Sequence, residues 1–207
     1  MAQIWESETS NWKHRNEARQ AFILKAKSYS GNFLEIGPGY GRVMKEIAQN
    51  NPIIGLEMDD ELVELLKKRQ FEVYKGVAES MPFEDNSFDV VLCEEVIEHI
   101  KMQSTVINEV YRVLKSNGVA IFTTPNKYIY RTLMLLNNLR RFDFTIPIYK
   151  NPTPGHVSEL TGKELKNLFK KKFDIIDFKP LNSYLQKAIL HKVPFLSINN
   201  LIVVRKR

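Results

Sequence analysis

Between residues 32 and 124, short apolar runs alternate with longer amphipathic ones, and that alternation limits the folds open to this chain. The runs "NFLEI" (32–36), "PIIGLEM" (52–58), "FEVYKG" (71–76), "SFDVVLC" (87–93) and "GVAIFTT" (118–124) have the length and composition of strands. Residues 41–50, 59–69 and 102–115 between them read as helices. In the first, Val43, Met44 and Ile47 share a side; the second, "DDELVELLKKR", starts acidic and ends basic, which suits the helix macrodipole; the third stops at "SNG". Parallel neighbours need crossovers of this length, so the pattern predicts an α/β fold: a doubly wound, mostly parallel sheet with helices on both faces. An amphipathic helix over 11–29 precedes this core, carrying Trp12, Phe22, Ile23 and Ala26. After the core, residues 161–172 open with Thr161 and Glu164 at capping-box spacing, and "FDIIDFKP" and "NNLIVVRKR" make two closing strands.

The 207 residues fit one domain, with an N-terminal helical segment over 1–30 and an irregular insert over 126–158. The insert holds five aromatics, three prolines and the pair Arg140-Arg141, and long inserts of this kind are usually functional or disordered. An apolar content of 43% and a charged content of 26% are those of a chain with a core to bury. The start lacks a basic segment followed by an apolar one, and no run is long enough to span a bilayer, so the expected location is cytoplasmic. The single cysteine, Cys93, leaves no internal disulfide and no cluster of several thiolates. Charge divides unevenly. Residues 1–126 hold 14 Lys and Arg against 19 Asp and Glu, whereas residues 127–207 hold 16 against 5. The basic half attracts an anionic partner, whether a phosphorylated small molecule, a lipid surface or RNA, or else simply solubilises the surface.

The stretch "LEIGPGYGR" (34–42) puts Gly37, Gly39 and Gly41 between the first strand and the first helix. In a doubly wound sheet this turn lies at the carboxyl edge, where ligands bind, and missing side chains let the backbone approach them. Glu57 ends the second strand, where an acidic residue hydrogen-bonds ribose hydroxyls, while Asp59 and Asp60 already serve the start of the following helix. Loop and Glu57 together imply a nucleoside-containing cofactor. The third glycine comes one residue too early for the dinucleotide fingerprint G-x-G-x-x-G. Glu35, just before the loop, would repel a pyrophosphate and suit a cationic ligand.

The pattern E-x-G-x-G-x-G resembles the first motif of class I S-adenosylmethionine-dependent methyltransferases. "VAESMPFEDNSFDVVLCEEVIEHI" (77–100), "NGVAIFTTPN" and "GHVSELTGKEL" resemble the type 11 group, which includes ubiquinone and menaquinone methyltransferases. The resemblance spans roughly residues 32–170. It implies a seven-stranded sheet with the last strand antiparallel, and S-adenosylmethionine as cofactor, released as S-adenosylhomocysteine. Gly37 and Gly39 would pass under its methionine part, with Glu35 facing the ammonium and Glu94 beside the methionine moiety. Glu57 would bind the ribose hydroxyls, Met58 would lie against the adenine, and Ala78 and Glu79 would border the adenine edge. Val77 stands where many relatives carry an aspartate that accepts from the adenine amino group.

Methyl transfer from a sulfonium is an in-line displacement in which the protein supplies alignment and desolvation. A hydroxyl acceptor must also lose its proton, and histidine suits that task. The candidates are His156, after Pro154-Gly155, and His99, after Glu98; each has an ordinary structural reading as well. His14 and His191 have no supporting context, and no histidine–carboxylate set has metal spacing along the chain, so no metal is expected. The expected activity is O-methylation of a small or lipid-linked acceptor. In the insert, Tyr128, Ile129, Leu133, Leu136 and Phe142 alternate with Arg131, Arg140 and Arg141, which fits a lid over a partly greasy, partly anionic acceptor or contact with a membrane surface. The competing readings are an RNA methyltransferase, a nicotinamide-dependent dehydrogenase and a non-catalytic cofactor-binding subunit.

Overall fold

A computed structural model describes residues 13–128, 156–181 and 199–207, with side chains from residue 18 onward. Most of the expected insert, 129–155, and His191 lie outside the described residues, as does the side chain of His14. Helix α1 is Lys13–Ala26, followed by β1 (Phe33–Ile36), α2 (Arg42–Ile47), β2 (Ile53–Glu57), α3 (Asp60–Lys68), β3 (Glu72–Lys75) and β4 (Phe88–Glu94). A 3-10 turn, Ile97–His99, leads into α4 (Gln103–Val113) and β5 (Leu114–Pro125); α5 (Gly162–Phe169), β6 (Phe173–Leu181) and β7 (Asn199–Lys206) are the remaining described elements. No helix among the described residues is long and apolar enough to cross a membrane.

The seven strands form one sheet in the order β3-β2-β1-β4-β5-β7-β6. Strands β1 to β5 pair in parallel, and β7 runs antiparallel to both β5 and β6. The strand period of two divides the side chains between two cores. Leu34, Ile36, Val91, Cys93 and Phe122 face Val106, Val110, Leu165 and Phe169 of α4 and α5. Phe33, Ile53, Val90, Leu92 and Ile121 face Phe22, Met44, Ile47 and Leu66 of the first three helices. Each such fully buried side chain contributes roughly 1.5–3 kcal/mol.

Local signals place the ends of the elements. Asp59 caps α3, its Oδ1 accepting from the Leu62 N–H at 3.0 Å. The Thr161–Glu164 capping box forms in full at α5. One boundary departs from the sequence reading. Helix α4 ends at Val113, and "SNG" lies inside β5, where the register with β4 shifts between Phe88 and Val90. Asn117 has φ 63°, so these residues turn a bulge in the strand and do not end the helix.

Candidate functional site

The carboxyl ends of β1, β2, β4 and β5 converge: Ile36 pairs with Leu56 and Cys93, and Glu94 with Thr123. The glycine turn leaves this edge with Gly37, Gly39 and Gly41 at φ 64°, 54° and 71°, all left-handed. Their missing side chains have different causes. A Cβ at Gly37 would stand 2.6 Å from Val96 Cγ2, and one at Gly41 2.6 Å from Leu66 Cδ2, whereas one at Gly39 would meet no protein atom within 4 Å. Only Gly39 therefore turns a bare backbone face to open space. Glu57 clips that face to β2. Its Oε2 accepts from the Gly39 N–H at 3.1 Å, and its Oε1 accepts from the Met58 and Asp59 N–H groups at 2.8 and 3.1 Å. Met58 beside it is 71% exposed, an apolar side chain presented to the same edge. Ala78 is buried, Glu79 is half-buried, and Val77 is exposed.

Glu35 lies beneath the loop, 2% exposed, and its Oε2 has no hydrogen-bond partner among the described residues. Burial first, and then the charge of Glu94, push its pKa up to about 8, against the opposing pull of Arg19 and the Met44 N–H. Arg19 reaches in from α1, and its Nε donates to both oxygens of Glu94 at 2.9 Å. This residue was missed in the sequence reading. Its signal is positional: Arg19 continues the Phe22, Ile23, Ala26 stripe one turn earlier, on the helix face that meets the sheet. Together Gly39, Glu57, Glu35, Glu94 and Arg19 cluster at the carboxyl edge with one bare backbone face, hydroxyl acceptors and a mixture of charges. A buried carboxylate oxygen without a partner, Oε2 of Glu35, calls for a donor cation, so these residues fit a sulfonium nucleoside bearing an ammonium and a carboxylate.

A second constellation follows β4. Glu95, at φ 56°, turns the chain out of the strand, and Val96 packs on Gly37. The 3-10 turn then brings Glu98, fully buried, under the end of β5, where its Oε2 accepts from Thr124 Oγ1 at 3.0 Å. Segment 156–160 returns to the same place. The Val157 and Ser158 N–H groups both donate to the Glu98 carbonyl at 3.0 Å, and Gln103 Nε2 bridges the carbonyls of Ile97 and Ser158 at 2.9 and 2.7 Å. This latch sets His156 against Glu98, with Nε2 4.0 Å from Oε1, and its Nδ1 lies 4.0 Å from Oε1 of Glu159. The rings of His99 and His156 meet edge to face at 4.8 Å. The two histidines singled out from the sequence, far apart along the chain, thus share one corner with two carboxylates. The absence of metal spacing along the chain does not carry over into space: ligand atoms of Glu98, His99 and His156 all lie within 4.8 Å of one another. Cys93, deep in the core beneath, has its thiol pushed well up by burial and then by the charge of Glu98, which leaves it an inert apolar packer.

Comparison with known proteins agrees with this geometry. A type 11 family profile described as a methyltransferase domain matches residues 34–122. The chain is 30% identical to a ubiquinone biosynthesis O-methyltransferase of Pseudomonas entomophila over 183 residues, covering 79% of this chain and 78% of that one. It is also 30% identical over 129 residues to a ubiquinone/menaquinone biosynthesis C-methyltransferase of Geotalea uraniireducens, covering 54% of this chain and 55% of that one. The chain spans about half the length of several of the curated relatives it matches, with 46–57% of each covered. Among solved structures, an S-adenosylmethionine-dependent methyltransferase from Thermotoga maritima superposes with a TM-score of 0.70 at 23% identity, over 99% of this chain and 96% of that one, which establishes the likeness of fold.

Proposed function

We propose, from the premise that the chain belongs to the class I S-adenosylmethionine-dependent methyltransferases, in the type 11 group, that it transfers the methyl group to a hydroxyl oxygen of a small or lipid-linked acceptor. The observation that carries the choice of oxygen is the corner formed by Glu98, His99 and His156. A carbon or sulfur nucleophile can make other use of such groups, but an oxygen nucleophile needs its proton removed, and two imidazoles beside two carboxylates serve that need. Val96, three residues before His99, packs on Gly37, so the corner stands next to the cofactor loop.

When bound, S-adenosylmethionine supplies an electrophilic methyl group on a good leaving group. The chain's residues bind, orient and exclude water. Glu57, whose bonds from the Gly39, Met58 and Asp59 N–H groups hold the turn in place, would accept from the ribose hydroxyls. Glu35 and Glu94 would receive the ammonium, and Arg19 the carboxylate, of the amino-acid end. Met58, exposed at the same edge, would cover the adenine, with Ala78 and Glu79 at its edge. The corner at Glu98 holds the acceptor and draws off its proton. Both ends of the insert meet there, since Asn126 bridges Leu160 and the Lys127 N–H donates to the Leu160 carbonyl at 3.1 Å. The two described ends of the insert therefore stand beside an acceptor bound at the corner, and the arginines in its sequence suit an anionic group on that acceptor.

The test is a panel of phenols, catechols and polyprenyl phenols incubated with methyl-labelled cofactor. Label in an aryl methyl ether is the expected result, and His156→Ala should lower the turnover by about 100-fold. Label on ring carbon would overturn the oxygen assignment.

A further inference from the structure

We infer that Thr123 is a further contact for the amino-acid end of the cofactor, its hydroxyl donating to the ligand carboxylate beside Arg19. The strand period puts it there. Along β5, Val119 and Ile121 face the core under α1 while Ala120 and Phe122 face the other core, so Thr123 continues the α1 side. Glu35 and Glu94 stand on that same side, two residues beyond Phe33 and Leu92. Glu94 and Thr123 are partners in the β4–β5 register, and Leu201 flanks Thr123 from β7. The order across the sheet is therefore Glu35, Glu94, Thr123, with Arg19 bonded to the middle one. What singles Thr123 out is its hydroxyl. The residue is 1% exposed, and Oγ1 has no hydrogen-bond partner among the described residues. Thr124, on the opposite face, shows the ordinary arrangement, with its hydroxyl bonded to Glu98 at 3.0 Å. Beside Thr123 on its own face stand the aliphatic side chains of Ile121 and Leu201. Burying a hydroxyl without a partner costs stability, so packing alone favours the isosteric valine at this position. The other such atom on this face, Glu35 Oε2, lies across Glu94 from it. Two buried polar atoms thus flank the Arg19–Glu94 pair, and they differ in kind: a carboxylate oxygen that accepts from an ammonium, and a hydroxyl that donates to a carboxylate. Arg19 uses Nε for Glu94, and its terminal nitrogens make no hydrogen bond among the described residues. Those nitrogens suit one oxygen of the ligand carboxylate, and Thr123 suits the other.

The inference rests on the proposed function only where that places the amino-acid end of the cofactor, and not on which acceptor atom is methylated. Calorimetry of the full chain with two ligands tests it: S-adenosylhomocysteine, and methylthioadenosine, which has the same nucleoside and thioether but no amino-acid end. Thr123→Val should weaken S-adenosylhomocysteine binding about tenfold and leave methylthioadenosine binding unchanged. Without ligand, the same variant should melt higher by about 2–4 °C, because a methyl group of equal size replaces a hydroxyl that has no partner. Thr123→Ser keeps the hydroxyl and should keep the native preference between the two ligands. Native affinity for S-adenosylhomocysteine in the Val variant, or an equal loss for both ligands, overturns the contact. If Arg19→Ala loses the preference and Thr123→Val does not, Thr123 leaves the site and the amino-acid end stays where the proposed function puts it. A native chain that binds the two ligands equally well overturns both. Methyl transfer to carbon, with the Thr123→Val loss confined to S-adenosylhomocysteine, overturns the oxygen assignment and leaves this contact standing.

Discussion

A single buried carboxylate makes the most distinctive demand on this protein. Glu35 has a pKa raised from 4.5 to about 8, so between those values the folded chain holds a proton that the unfolded chain has released. Stability therefore falls as pH rises through this window, and the loss is complete above about pH 8. Glu35→Gln should remove the penalty, stabilising the ligand-free protein by roughly 2–4 kcal/mol at pH 8 and much less at pH 5. Cofactor binding should move in the opposite direction. The ammonium draws Glu35 into its ionised form, so binding to the native protein releases a proton near pH 7 and tightens toward pH 8, while the Gln variant binds at least tenfold more weakly and releases none. Urea unfolding at both pH values, with calorimetry in buffers of different ionisation enthalpy, checks both halves; a variant less stable at pH 8 would show that Glu35 is ionised and satisfied without ligand. The sequence made Glu35 legible as a partner for a cation, because an acid directly before a glycine turn has few other uses. The glycines were legible only as a group. Gly39 faces open space, while Gly37 and Gly41 make room for Val96 and Leu66, contacts between segments that no local spacing encodes.

Among the elements, α1 matters beyond its packing. Its apolar residues Phe22, Ile23 and Ala26 enter the core, and Arg19 carries the same face over the cofactor pocket to Glu94. The pair is partly exposed, at 23% and 13%, so it contributes little to stability, within about 1 kcal/mol. Its effect on binding is larger, because Arg19 offsets the charges of Glu94 and Glu35 at the amino-acid end of the site. Arg19→Ala should weaken S-adenosylhomocysteine binding about tenfold with little change in the melting temperature, and Arg19→Lys should recover part of the loss. Equal affinity in the Ala variant would detach α1 from the site. Strand and helix periodicity placed nearly every element, and the capping residues Asp59 and Thr161 stand where the sequence put them. The "SNG" turn is the exception. Its composition signals a stop, but the pairing of β5 with β4 recruits it as a bulge, a tertiary effect that overrides local preference. The corner of Glu98, His99 and His156 was legible as two separate histidines and not as a cluster, since what joins them is the Gln103 latch and the return of segment 156–160.

At the scale of the molecule, the latest of the seven described strands in chain order is an interior one. Strand β7 inserts between β5 and β6, pairing with both along nearly its whole length. Alternation in the sequence shows that the sheet is parallel in its first part, but an insertion of this kind depends on which edge remains open after β5, which is a matter of topology and came only with the family resemblance. Leu201, Ile202, Val203 and Val204 are almost wholly buried and divide between the two cores. Near the end of the strand, Lys206 Nζ donates to the Leu114 carbonyl at 2.6 Å and to Asn86 Oδ1 at 2.9 Å, and lies over the Tyr111 ring at 4.6 Å, tying the end of β7 to the start of β5. Deleting residues 199–207 takes away four buried aliphatic side chains, worth roughly 6–12 kcal/mol at about 1.5–3 kcal/mol each, and leaves the edges of β5 and β6 unpaired. Total stabilities of domains are of the order of 5–15 kcal/mol, so the shortened chain should lack a cooperative thermal transition and bind no cofactor. Lys206→Met, which keeps the strand and removes only the polar anchor, should unfold cooperatively at a lower temperature and still bind. Circular dichroism melts of the two variants, with and without S-adenosylhomocysteine, distinguish these outcomes. A cooperative, ligand-shifted transition in the deletion would mean that the first five strands and their helices hold the cofactor site without the antiparallel end of the sheet.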